Sequence, residues 1–451
     1  MKKVVALLAV ATIVISFTGC KSTNHGNSST TSNTDFSTIE NSETKNSSLQ
    51  EDEIITMASF ENTVAVIKND HTLWMWGTND YGQIGNGTKD KVTSPVKVLD
   101  DVIFVSVGWN NSAAIKSDHS LWVWGFNKDG ELGSLEVGND QSDKGFNIQT
   151  TPIKVMENVL SVSVGECNMA VITTDHSLWL WGKNDYGQIG NGLNSRFEPA
   201  TKIMDDVKCV EFGDGNVIAV KSDDSLWTWG NNFSGSLGNE TNGSLDVYQT
   251  TPIKVLDGVR LTKNAGFWGF QNTLAITKDN SLYVWGANQY GQVGTGTDGN
   301  GKDAWDRPAQ TIPAKILDNV SKVSASRVYN NNYVVMSAIT NDNSLYAWGL
   351  NDFGMVGNGS TENVVCPTFI MDNVSDAIVN CNVGIALKID GSVWIWGKLK
   401  NDTNPVLSPM KIADNAKSIY SARIRGVYFI KDDGLLYQYN TVSETVERVF
   451  G

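Results

Sequence analysis

The dipeptide Trp-Gly recurs along this chain at Trp76-Gly77, Trp124-Gly125, Trp181-Gly182, Trp229-Gly230, Trp285-Gly286, Trp348-Gly349 and Trp396-Gly397. Intervals of 48, 57, 48, 56, 63 and 48 residues place the sequence among solenoids, propellers and arrays, where one supersecondary unit is repeated. Every unit has the same grammar. The first reads Val64-Ala65-Val66-Ile67, then Asn69-Asp70-His71-Thr72, then Leu73-Trp74-Met75-Trp76-Gly77. Two β-rich runs around a turn signal predict a hairpin. The turn pair is Asp-His three times, Asp-Asp once, Asp-Asn twice and Asp-Gly twice, ending at Asp433-Gly434. These residues tolerate positive φ, as a two-residue hairpin turn requires.

After Trp-Gly, six units continue as x-Asn-x-x-Gly-x-(Ile/Leu/Val)-Gly, as in Asn79, Gly82, Ile84 and Gly85. A Pro-led strand such as Pro152–Val155 follows, then a further strand such as Leu160–Val164. Four short strands per unit (A to D) and no helical period beyond the N-terminal leader predict an all-β chain, a β-propeller of four-stranded antiparallel blades. Hairpins beginning at Val64, Ala113, Ala170, Ile218, Leu274, Ser337, Ile385 and Tyr428 favour eight blades, with seven as the alternative. The eighth has lost Trp-Gly and the glycine loop, and the seventh carries Lys398-Leu399-Lys400 in place of that loop. Gln149–Val155 reappears as Gln249–Val255, which suggests that a two-blade unit was duplicated. Trp74 and Trp76, two apart, share one strand face; Leu73 and Met75 share the other, and both faces are expected in the core.

These residues resemble the regulator of chromosome condensation repeats, a family of propellers usually of seven blades, over about residues 54–440. The resemblance implies the fold. It implies less about function, since the family includes nucleotide exchange factors, a plant ultraviolet photoreceptor and a secreted β-lactamase inhibitor.

The N-terminus is of another kind. Lys2 and Lys3 precede the uncharged stretch Val4 to Gly19, too short to span a bilayer and suited to a secretory signal. Phe17-Thr18-Gly19-Cys20 resembles the bacterial lipobox, which implies cleavage before Cys20 and diacylglycerol on its sulfur; two acyl chains suffice to hold a protein on a membrane. Residues 21–50 contain 19 Ser, Thr or Asn and read as a tether that cannot bury enough to order itself. The expected organisation is a lipoprotein signal peptide (1–19), a lipidated Cys20 and linker (20–50), and a propeller (51–451), anchored in the cell membrane and facing its extracellular or periplasmic side.

A formal charge of −14 lacks the electrostatic footprint of a nucleic-acid binder. The glycine loops lack the Lys and the following helix of a phosphate cradle and read as structural. His71, His119 and His176 alternate with Asp, Asn and Gly at one turn position, so they read as turn residues. Asp298, Asn300 and Asp303 lack the spacing and closing Glu of a calcium loop. With 4 His and 5 Cys, neither a metal site nor a cofactor is expected. Cys366 and Cys381 are close enough in the repeat to pair, but Cys167, Cys209, Cys366 and Cys381 are expected as free thiols. No nucleophile–base constellation is visible, so no enzyme is expected.

The units diverge from one another in their A–B loops, which hold Trp109, Asn110, Glu166, Asp214, Phe267, Trp268, Arg327, Tyr329, Asn380, Arg423 and Arg425, and in C–D inserts at 134–150, 239–250 and 295–311, the last with Trp305. In a meander these loops share one face, and they carry the aromatic and Arg residues typical of interface hot spots. The expected function is therefore protein interaction by a monomer through that face, with enzyme inhibition as a concrete form. The alternatives are binding of a carbohydrate or cell-wall polymer and a polysaccharide-acting enzyme. The expected export argues against exchange-factor activity.

Overall fold

The computed structural model describes residues 53–60, 62–213, 215–241, 248–266, 270–326, 334–380, 383–399, 404–422, 426–441 and 443–450. They form eight antiparallel sheets and no helix. The sheets are the blades of a ring: residues 54–99, 102–156, 159–204, 207–256, 259–317, 320–371, 374–413 and 416–448. Each is a meander in the order A-B-C-D; blades 2 and 5 add a two-residue edge strand, Asp140–Gln141 and Gly301–Lys302, inside their C–D inserts. The eight-blade expectation holds, and Thr445–Arg448 is the last D strand.

The B–C turn differs in detail from the expectation. It is a three-residue loop: in the first, His71 N donates to Lys68 O and Lys68 N to Thr72 O. Positive φ falls on one residue per turn, at His71, His119, His176, Asp224, Asn280, Asn343, Gly391 and Gly434. A type I turn followed by one left-handed residue meets the strand twist with a single such position, which is why the residue before it can be a fixed Asp. That Asp caps the turn. Asp118 and Asp223 accept from the backbone N–H and hydroxyl of Ser120 and Ser225, Asp175 from those of Ser177 and from the Thr173 hydroxyl. The Thr173 hydroxyl is the chief cause that holds the Asp175 carboxyl down at about 2. The histidines are turn residues, as expected, and their carbonyls also join the blades. The turn carbonyl of each blade accepts from the first A-strand N–H of the next, from His71 O with Val102 N at 2.8 Å round to Gly434 O with Ile54 N at 3.0 Å. Eight such bonds close the ring.

Trp-Gly and the glycine loop are the two halves of one joint. Trp124, Trp181, Trp229, Trp285, Trp348 and Trp396 are fully buried. Each indole N–H donates across the blade boundary to a backbone carbonyl in the preceding blade's glycine loop: Gln83, Glu131, Gln188, Ser236, Gln292 and Met355, at 2.8–3.0 Å. A Cβ on Gly190 (φ +85) would lie 2.6 Å from the Trp229 Nε1, and Gly85, Gly238, Gly294 and Gly357 face their Trp partners in the same way. The Gly of Trp-Gly answers to a different neighbour, since a Cβ on Gly77 would lie 1.8 Å from Asn62 O in the A–B loop. The other tryptophans on the strand, such as Trp74, are only half-buried, so the expected full burial holds for one Trp of each pair. Trp74 instead donates to the Thr72 hydroxyl at 2.8 Å.

The two irregular units now have a shared cause. Blade 7 lacks a glycine loop and blade 8 lacks the Trp that would sit on it, having Tyr439 at that position. Trp76, which follows blade 8 around the ring, has no glycine loop to meet and packs edge-on against Tyr428 and Phe450, centroids 6.3 and 6.1 Å away.

Cys167 and Cys366 are free thiols, the latter exposed, so the Cys366–Cys381 pairing does not form. Cys209 is held in a disulfide and departs from the expected free state. Cys381 lies outside the described residues, as do Cys20 and residues 1–52 with the leader and tether.

Removing the indole in Trp181→Ala leaves a cavity at a blade boundary and orphans the Glu131 carbonyl; urea titration should show a loss of about 3–5 kcal/mol. Gly190→Ala and Gly192→Ala share φ +85, but the Cβ meets Trp229 at 2.6 Å in the first and only Thr251 at 3.8 Å in the second. The second should cost about 1 kcal/mol of backbone strain, the first at least about 2 kcal/mol more from displacing a buried Trp. Equal losses would show that the Trp contact does not select the glycine.

Candidate functional site

An antiparallel meander delivers its A–B and C–D loops to one face and its B–C turns to the other. Of the sequence-selected residues, Trp109, Asn110 and Glu166 lie there half-buried in the A–B loops of blades 2 and 3, and Trp305 tips the C–D insert of blade 5. Asp214, Phe267, Trp268, Arg327, Tyr329, Arg423 and Arg425 lie outside the described residues. Asn380 is tied to scaffold bonds: its amide donates to Ser421 Oγ at 2.6 Å and its oxygen accepts from Val383 N.

Trp305 is 44% exposed, yet its loop is fixed. The buried Asp303 carboxylate accepts from Trp305 N and Arg307 N at 2.8 and 2.9 Å, and from Arg307 Nε at 2.6 Å. Ala304 N donates to Phe233 O, stitching the insert to blade 4. Asn300 caps Thr311 N, as Asn139 caps Thr150 N in blade 2. Asn300 and Asp303 are thus spent on shaping the loop, which removes the calcium alternative for them.

Around this tip runs an aromatic row. Tyr186 lies 5.4 Å from Phe233 and 5.3 Å from Tyr248, and Phe233 lies 5.8 Å from Trp305. The Arg307 guanidinium lies 4.5 Å from the Trp305 ring and 4.4 Å from Phe270, which stacks on Tyr290. The row crosses blades 3 to 5. Three of its members, Tyr186, Phe233 and Tyr290, come from glycine loops that sequence reasoning treated as structural only.

A second cluster sits between blades 2 and 3. Asp129 and Glu131 come from the blade 2 glycine loop, Cys167 from the blade 3 A–B loop, and one donor atom of each lies within 4.8 Å of the others. The repeat makes these residues stand out. Where blade 2 has Asp129, blades 1, 3, 5 and 6 have Tyr81, Tyr186, Tyr290 and Phe353; where it has Glu131, blades 1, 3 and 5 have Gln83, Gln188 and Gln292. Those Gln side chains accept a backbone N–H two residues back, and Glu131 Oε2 does the same with Asp129 N at 2.8 Å. Its other oxygen is buried with no partner. Burial pushes the Glu131 carboxyl up to about 8, and the Asp129 charge adds to the rise. Arg196 reaches the same Asp129 at 3.3 Å. Burial, with the charges of Glu131 and Glu166, drives the Cys167 thiol well up.

The fold and its face define an RCC1-type repeat propeller with two built features on its A–B/C–D side. Residues 7–330 match the RCC1-like domain and residues 342–384 the regulator of chromosome condensation (RCC1) repeat. The chain belongs to the RCC1-like domain family. It is 26% identical over 353 residues to the ultraviolet-B receptor UVR8 of Arabidopsis thaliana (76% of this chain, 64% of the receptor). It is 26% identical over 243 residues to the E3 ubiquitin-protein ligase HERC2 of Homo sapiens (53% of this chain, 4% of the ligase). It therefore spans less than two thirds of the length of either. Among solved structures, Prp20p of Saccharomyces cerevisiae, described with its binding to Gsp1p and histones, superposes with TM-score 0.58 at 20% identity, covering 74% of this chain and 82% of that one. Yeast RCC1 bound to Kap60 superposes at 0.57 and 19% identity, covering 89% and 94%.

In chelator-treated buffer the raised Glu131 has a definite sign. The unfolded carboxyl ionises near its ordinary 4.5 and the folded one near 8, so the folded state holds the extra proton between these values and its stability falls as pH rises through them. Glu131→Gln installs the side chain found in blades 1, 3 and 5. It should match the wild type at pH 4 and exceed it at pH 8 by about 4 kcal/mol. Parallel urea curves at the two pH values check this; an equal difference at both would show that Glu131 ionises normally.

Proposed function

We propose that this chain is a lipid-anchored, extracytoplasmic propeller that serves as a protein-interaction module through its A–B/C–D face, with no catalysis of its own. The observation that carries the reading is Trp305, an exposed indole on a tip whose backbone and neighbouring Arg307 are locked by Asp303. Holding a Trp–Arg pair within an aromatic row lowers the ordering cost of binding, and Trp and Arg are the residues that dominate interface energy. Family membership supports it, since yeast neighbours of the same fold are described with protein partners. Anchoring rests on the Cys20 context and the polar stretch that follows it.

The test is capture from the producing cells' envelope fraction by full-length protein and by Trp305→Ala. One protein, retained in the presence of competing free sugars, should bind the wild type and bind the variant at least ~30-fold more weakly. The variant's melting temperature should stay within about 2 °C, because the indole is largely outside the core. Loss of capture on adding sugar would move the assignment to glycan binding. Incorporation of a palmitate analogue, abolished by Cys20→Ala, checks the anchor.

A further inference from the structure

We propose that Asp129, Glu131 and Cys167 form a binding site for a zinc-class divalent cation on the A–B/C–D face, at the boundary of blades 2 and 3. Three observations meet there. The donor atoms lie within 4.8 Å of one another, while tetrahedral zinc with oxygen and sulfur ligands needs them ~3.5 Å apart. The remaining gap is within the reach of side-chain rotations. The Glu131 side chain is buried to 1% exposure, with one oxygen already fixed by Asp129 N and the other without a partner. Burying an unsatisfied carboxylate oxygen is costly, and a cation is the partner it lacks.

The third observation is internal to the repeat. The sister positions carry Tyr, Phe or Ser for Asp129, Gln, Ser or Met for Glu131, and Asn62, Asn110, Gly215, Gln271 or Val334 for Cys167, so only here do two carboxylates and a thiol coincide. Residues 129 and 131 and residue 167 come from different blades and depart from the repeat together, at the one place where they face each other. No other donor cluster of this kind occurs among the described residues.

The scaffold holds the donors firmly. The Glu131 carbonyl takes the Trp181 indole bond at 2.9 Å, and the Cys167 carbonyl accepts from Lys183 N at 3.0 Å. A thiolate with two carboxylates suits a borderline cation better than calcium or magnesium, which take oxygen-only sets. Three ligand anions exceed the charge of one divalent ion, and Arg196 on Asp129 and Lys183 beside Cys167 supply the balance. Metal binding by a thiol releases its proton, so affinity rises with pH. The inference does not depend on the protein-interaction reading.

Cobalt(II) titration tests it, with full-length protein carrying Cys366→Ser to remove the exposed thiol. One equivalent of Co²⁺ should raise a thiolate-to-cobalt charge-transfer band that Zn²⁺ displaces and Ca²⁺ or Mg²⁺ does not. Cys167→Ser should abolish the band, and Glu131→Gln, which installs the residue of blades 1, 3 and 5, should weaken binding on the order of tenfold or more. Thermal melts establish that each variant is folded, and if Cys167→Ser is not, Glu131→Gln and Asp129→Asn decide. No saturable band, or a band of equal affinity in Glu131→Gln and Asp129→Asn, overturns the proposal.

Discussion

The rest of the structure depends on the seat that each glycine loop makes for the tryptophan of the next blade. A propeller blade is apolar on both faces and has no stable existence alone; what sets the pitch of the ring is how one blade grips the next. Here a fully buried indole lies against a glycine that has no room for a side chain and donates to the carbonyl two residues before it. The contact supplies area, shape and a satisfied buried donor together. It is consistent with the loss of both Trp and the glycine loop at the blade 7–8 boundary.

Closure follows the same economy. The first and last blades share no strand: all four strands of blade 8 come from the C-terminal segment. The ring is shut by the eighth copy of the turn-to-strand hydrogen bond and by Trp76, Tyr428 and Phe450 packed where a glycine loop would have been. The seam therefore uses side chains particular to the two ends, while the other seven boundaries share the turn-to-strand bond, six also share the Trp indole bond, and in five of those a glycine packs against the Trp.

A scaffold this repetitive leaves one face free to differ. The B–C turns are occupied by the capping Asp and the inter-blade carbonyl, so change there costs stability. The A–B and C–D loops carry fewer such duties. The aromatic row around Trp305 and the Asp129–Glu131–Cys167 cluster both arise on that side, and both reuse glycine-loop positions whose backbone is already fixed by the Trp joint. Rigid backbone with replaceable side chains is what a binding site needs.

Much of this was legible in the one-dimensional sequence. Period, strand grammar, blade count and the sorting of loops to faces follow from local chemistry: alternating β-branched and aromatic runs, turn residues with positive φ, and a motif repeated often enough to average out its exceptions. The histidines could be dismissed because their sister positions hold Asp, Asn and Gly. The three-residue turn was missed because Asp-His and Asp-Gly also fit two-residue hairpins. Which side chains meet across a blade boundary belongs to the tertiary structure alone. Glu131 and Cys167 stand thirty-six positions apart, and Asp303 and Asn300 resemble calcium ligands until Arg307 and Thr311 are seen on them. The sequence determines the unit, because the unit is held by neighbours in the chain; the site was decided by the ring, because it joins residues that only inter-blade packing brings together.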